Sequence, residues 1–112
     1  MSGRVIDLEA AAAAGLREGL FEGEALGVRS LKLAPGEEVR IETAPGQERV
    51  LVAVAGRGLC RADTFEPSGR AQPLAPGRIG VLRAGEWCEL SAEGPEAFVV
   101  VEVVAPEPVR RT

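Results

Sequence analysis

Residues 74–90 read LAPGRIGVLRAGEWCEL, and the fold is decided by how this stretch is divided. Leu74-Ala75-Pro76-Gly77 has the composition of a turn. Proline pre-sets φ at the second turn position, and glycine supplies the positive φ of the third. Ile79-Gly80-Val81-Leu82 follows as a short apolar strand, Ala84-Gly85 punctuates it, and a new strand starts near Cys88. The same opening stands 41 residues earlier, where Leu33-Ala34-Pro35-Gly36 leads into EEVRI. Two copies are too few for a solenoid but suit a barrel made of two similar halves.

The rest of the chain repeats this rhythm. Apolar or alternating runs occupy residues 28–33, 39–43, 50–55, 79–82, 88–90 and 98–104. Between them lie Pro35-Gly36, Pro45-Gly46, Pro67-Ser68-Gly69, Pro76-Gly77, Ala84-Gly85 and Gly94-Pro95. Many short strands separated by turn signals predict an all-β sandwich or barrel. Residues 98–104, FVVVEVV, are almost entirely β-branched, with Glu102 the one charge. A strand of that composition is covered on both faces, by the core and by a second layer or subunit.

Residues 7–20 (DLEAAAAAGLREGL) form the one helix-like stretch, with Asp7 as a capping residue and Gly15 as a weak point. The expected organisation is an N-terminal helical arm over 1–27, one barrel over 28–106 and a charged, proline-bearing tail over 107–112.

Composition removes several function classes. The 112 residues are 46% hydrophobic and 27% charged, the balance of a single globular domain. A net charge of −4 with scattered arginines argues against a nucleic-acid partner, which requires a basic face. No run approaches the length of a membrane span, and the N-terminus lacks the shape of a secretion signal. The expected compartment is therefore the cytoplasm, where Cys60 and Cys88 stay as free thiols. Histidine and tyrosine are absent altogether. That removes the commonest base near neutral pH, the commonest metal ligand, and any Ser-His-Asp or Cys-His catalytic set.

Gly77, five residues, Arg83-Ala84-Gly85, two residues, then Cys88 resembles the second motif of the cupins. That motif runs glycine, five residues, Pro-x-Gly, two residues, histidine, three residues, asparagine. Both glycines fall in register, while Cys88 stands at the histidine and Ala92 at the asparagine. Counting the first motif forward from Gly36 puts its two histidine positions at Glu42 and Ala44, and its glutamate at Glu48 or Arg49. Residues 50–58, VLVAVAGRG, are similar to that motif's closing strand and Gly-x-Gly turn. The resemblance implies a small jelly-roll barrel, often dimeric. In cupins three histidines and a glutamate hold a metal inside the barrel.

Carried over position by position, the interior would offer Glu42, Ala44, Glu48 or Arg49, and Cys88, with Trp87 beside the last. Arg49 cannot ligate a cation and would repel one, whereas an arginine fork can hold a carboxylate. Alternation along β-structure gives Glu42 a second reading, in which Glu38, Arg40 and Glu42 form a solvated face and Val39, Ile41 and Thr43 the buried one. Cys88 reads either as a reactive thiol beside an arginine or as a small buried hydrophobe. The resulting expectation is an all-β, cupin-type jelly-roll barrel without metal, cofactor or catalytic residues. It forms a homodimer, and it either binds a small polar molecule through Glu42, Arg49, Trp87 and Cys88 or serves as an interaction module. The competing readings are an enzyme built on Glu42, Glu48 and Cys88, and a purely structural dimerisation domain.

Overall fold

The structure, a computed structural model, describes residues 5, 17–22, 26–62 and 70–105. They form nine strands: β1 (Arg17–Glu22), β2 (Gly27–Leu33), β3 (Glu38–Glu42), β4 (Glu48–Ala55), β5 (Arg57–Arg61), β6 (Ala71–Leu74), β7 (Ile79–Leu82), β8 (Trp87–Glu93) and β9 (Phe98–Ala105). Every pairing is antiparallel. One sheet has the order β1-β2-β9-β4-β7, the other β3-β8-β5-β6. The expected all-β jelly roll is therefore the architecture found.

Four turns of one kind carry the chain between the sheets. In each, the backbone N–H of the fourth residue donates to the carbonyl of the first: Glu37 to Ala34, Gln47 to Ala44, Arg78 to Ala75 and Glu86 to Arg83, at 2.9–3.0 Å. The third residue is always a glycine at positive φ, between 79° and 99° (Gly36, Gly46, Gly77 and Gly85). This is the type II geometry that Pro-Gly encodes. Glu37 and Glu86 each close their own turn by accepting from the backbone N–H of Ala34 and Arg83, both at 2.6 Å. The 41-residue echo thus marks two equivalent corners, one leaving β2 for β3 and one leaving β6 for β7.

Alternation sorts the side chains. Leu31 and Leu33 of β2, Ile41 of β3, Leu51 and Ala53 of β4, Cys60 of β5, Leu82 of β7, Cys88 and Leu90 of β8, and Phe98 and Val100 of β9 meet in one core. Gly58 is required there because a Cβ would stand 2.5 Å from the Phe98 ring and closer still to the Ser91 carbonyl. Strand β9 lies in the middle of its sheet, and Val99 and Val101 on its outward face are buried as well, as its composition predicts.

Three strands, β1, β5 and β6, have no counterpart among the expected ones. Their sequences are interrupted by Gly19, by Gly58 between arginines, and by Pro73, so local preference does not announce them. Of the expected helix over 7–20, residues 7–16 lie outside the described residues, and 17–20 belong instead to β1, which pairs with β2. Tertiary pairing overrides the helix-favouring composition there. Among the described residues no helix is long and apolar enough to cross a membrane.

Candidate functional site

Strand β3 settles which way the first motif points. Ile41 and Thr43 are buried, whereas the Glu42 side chain is 73% exposed and Ala44 is exposed. The alternation reading of β3 is the one realised, and the register counted from Gly36 places Glu42 outside the barrel. Its carboxylate pairs there with Arg40 Nε at 3.3 Å. The Arg40 guanidinium in turn lies 4.1 Å from the centroid of the Trp87 ring. Glu42 and Trp87 are direct cross-strand partners, so Trp87 belongs to this outer face and does not line the interior.

Strand β4 settles the second ambiguity. Glu48 is exposed and Arg49 is buried. Arg49 Nη1 donates to Glu102 Oε1 at 2.5 Å, and Nη2 donates to the backbone carbonyl of Glu42 at 3.0 Å. Glu102 is fully buried. Its strand register explains why it points inward: it is the direct partner of Leu51, an interior residue of β4. This glutamate is the interior residue that motif counting passes over. Its signal is visible nonetheless, as the single charge within a β-branched run, because a charge buried on a central strand requires an opposite partner.

Cys88 takes the interior position of β8 and is joined by Cys60 of the neighbouring β5, whose direct partner is Leu90, two residues along. Both are free thiols and both are buried. A hydrogen bond to Cys60, and then burial, push the Cys88 thiol far above the ordinary range for cysteine. Such a thiol stays protonated at physiological pH and is a poor nucleophile. Glu42, Glu48 and Cys88 are not brought together, because the first two face solvent and the third lies in the core.

Of the positions that the cupin register marks, only Arg49 and Cys88 face the interior; Glu42, Ala44 and Glu48 are exposed, and Ile41 and Thr43 stand inside in place of the first two. A leucine-like side chain, a hydroxyl, a guanidinium and a protonated thiol do not make a divalent-cation site. Among the described residues no group of three or more Cys, Asp or Glu side chains converges as ligands. Thr43 Oγ1 and Arg49 Nε are buried with no hydrogen-bond partner among the described residues. The grooves lined by described residues lie on the outside. One of about 480 Å³ is bounded by Gly46, Glu48, Arg83, Ala84 and Glu86 beside two of the corner turns, and one of about 230 Å³ is lined by residues that include Glu38, Arg61 and Glu89.

Comparison with solved structures agrees with this architecture. The chain matches a Klebsiella pneumoniae protein with a double-stranded β-helix domain at a TM-score of 0.81 and 20% identity, over 97% of this chain and 95% of that one. It matches the Thermus thermophilus protein TT1209 at 0.78 and 22%, over 93% and 98%. A cupin domain of an XRE family transcriptional regulator from Enterobacter cloacae matches at 0.69 and 15%, over 84% and 96%. The chain has the cupin fold. At these identities the likeness is one of architecture, and the contents of the cupin barrel have to be judged from its own side chains. No family model and no curated protein sequence matches the chain.

Proposed function

We propose that this chain is a non-enzymatic, metal-independent cupin domain that serves as an interaction module. The observation that carries this reading is the Arg49–Glu102 ion pair, which stands where the register marks a metal ligand. A guanidinium already hydrogen-bonded to its own buried carboxylate supplies the positive charge internally. It also disfavours any divalent cation nearby. The same fold carries a predicted oxalate decarboxylase from Thermotoga maritima, so the interior rather than the fold separates the readings. The Enterobacter cloacae neighbour is a precedent for a cupin domain used as part of a larger regulator. A cytoplasmic setting suits the two buried free thiols.

The test is elemental analysis of tag-free protein together with calorimetric titration of Zn²⁺, Mn²⁺, Fe²⁺ and Ni²⁺. Sub-stoichiometric metal and no saturable heat are expected; one tightly bound equivalent sinks the reading. A second reading, a small polar guest inside the barrel, is favoured only by the unpartnered Thr43 Oγ1 and Arg49 Nε. A thermal-shift screen of small carboxylates and polyols separates the two, because a guest that binds the folded state raises the melting temperature with its concentration.

A further inference from the structure

The chain has two cysteines, 28 positions apart in sequence, and the fold puts them side by side. Cys60 of β5 pairs directly with Leu90 of β8. Cys88 stands two residues before Leu90 on the same inward face, so the cysteines are diagonal neighbours on adjacent strands. They are 3% and 0% exposed, and their thiols share a hydrogen bond. The metal-independent reading makes no use of this pair.

The two sulfurs are not equivalent. Cys88 donates and Cys60 accepts, which lowers the Cys60 thiol from its ordinary value against the opposing effect of burial, and raises that of Cys88. Cys60 is therefore the member that reaches the reactive thiolate, while Cys88 keeps its proton. Burial shuts out bulky reagents and leaves water-sized oxidants as the ones that fit.

We propose that Cys60 and Cys88 are a reversible oxidation site for hydrogen peroxide, with Cys60 as the attacking sulfur and Cys88 as the resolving one. The Cys60 thiolate attacks one peroxide oxygen and the O–O bond breaks. Cys60 becomes a sulfenic acid, and the leaving hydroxide takes up the proton that Cys60 had released, forming water. The Cys88 sulfur then attacks the Cys60 sulfur, the S–O bond breaks, and the Cys88 proton leaves with the hydroxyl as a second water. Two thiols are oxidised to one disulfide while one peroxide is reduced to two waters.

The product is neutral and lies among Ile41 and Leu90, so its formation buries no charge. Its position makes it reversible. Diagonal neighbours stand roughly 7–8 Å apart, beyond the roughly 4.4–6.8 Å between the Cα atoms of an ordinary disulfide. Closing the bond therefore slips β5 against β8 by about 1 Å, and a strained disulfide is the more easily reduced. Arg61 and Glu89, ion-paired on the outer face, are direct partners on the same two strands. The slip carries the state of the interior bond to that surface.

The test exposes the reduced full chain to hydrogen peroxide at neutral pH, with intact-mass measurement and non-reducing peptide mapping over time. Wild type is expected to lose the mass of two hydrogen atoms, to show a Cys60–Cys88 link within one chain, and to regain its starting mass with dithiothreitol. Cys88→Ser, whose hydroxyl still donates to Cys60, stops at the sulfenic acid on Cys60, which dimedone captures. Cys60→Ser reacts about ten-fold more slowly or less, since burial alone keeps Cys88 protonated. Near-UV circular dichroism of Trp87 reports that the barrel is intact, and Cys60→Ala serves if serine disturbs the core. A wild type that stays reduced while folded, a link formed only between chains, or a Cys60→Ser chain as fast as wild type overturns the proposal.

Discussion

Arg49 with Glu102 inside the barrel and Arg61 with Glu89 on its outside are both arginine–carboxylate contacts, at 2.5 and 2.6 Å. Their surroundings differ completely. The inner pair is 7% and 0% exposed, the outer pair 53% and 33%. On the surface, water and salt screen the attraction, and holding two long side chains together costs entropy, so such a pair contributes about 0–1 kcal/mol. In the interior each charge has lost its hydration and depends on the other. The inner pair is consequently a weak source of net stability and a strong constraint, because either half alone would be a charge stranded in an apolar core.

Breaking the inner pair has the largest expected effect. Glu102→Ala leaves Arg49 buried without its carboxylate and should lower stability by about 3–5 kcal/mol, read from urea unfolding. The double change Arg49→Met with Glu102→Leu should recover most of that loss, since the cost lies in an unmatched charge rather than in a lost attraction. A double variant as unstable as the single one would show that the pair is worth more than its desolvation.

The thiols extend the comparison to a second buried polar pair. Cys88 is raised by its hydrogen bond to Cys60 and by burial, so the unfolded chain, titrating near 8.5, releases the proton first. The associated stability is complete below about pH 8.5 and declines as the pH climbs above it, by about 1.4 kcal/mol per pH unit for a single thiol. Few other groups titrate in that window, because the chain has no tyrosine or histidine and one lysine. Urea midpoints at pH 8 and pH 10 should therefore differ in wild type and converge when Cys60→Ala and Cys88→Ala are combined. Both changes are needed, since Cys60 owes its own lowered thiol to Cys88 and would be raised by burial if Cys88 alone were removed. Equal midpoints in wild type would refute the assignment.

The smallest effects belong to the outside. Arg61→Ala should cost no more than about 1 kcal/mol, and less in high salt. Arg40→Ala, which removes both the stacking on Trp87 and the contact with Glu42, should cost about 0.5–1 kcal/mol. A surface substitution as damaging as Glu102→Ala would erase the distinction between the two environments.

Much of this was legible in the residues, and the misses have physical causes. The Pro-Gly corners could be read because a type II turn depends on two adjacent residue types and little else. Strands β2, β3, β4, β7, β8 and β9 could be read because their apolar runs are unbroken or alternate regularly. Strands β1, β5 and β6 could not, although β1 pairs with the next strand β2 and β5 with β6, since glycine, proline and charged residues make their own sequences poor strand formers. The inward direction of Glu102 was undecided for a related reason: a run buried on both faces has no alternation to mark its two sides.

The sequence alone determined a barrel with glycine corners and no histidine to hold a metal, because backbone conformation and the presence of a residue type are local facts. Which of Glu42, Glu48 and Arg49 entered that barrel, and that Glu102 waited there for the arginine, was decided by the tertiary structure. A one-residue change of strand register sends every side chain to the opposite face, and only pairing across the sheets selects the register.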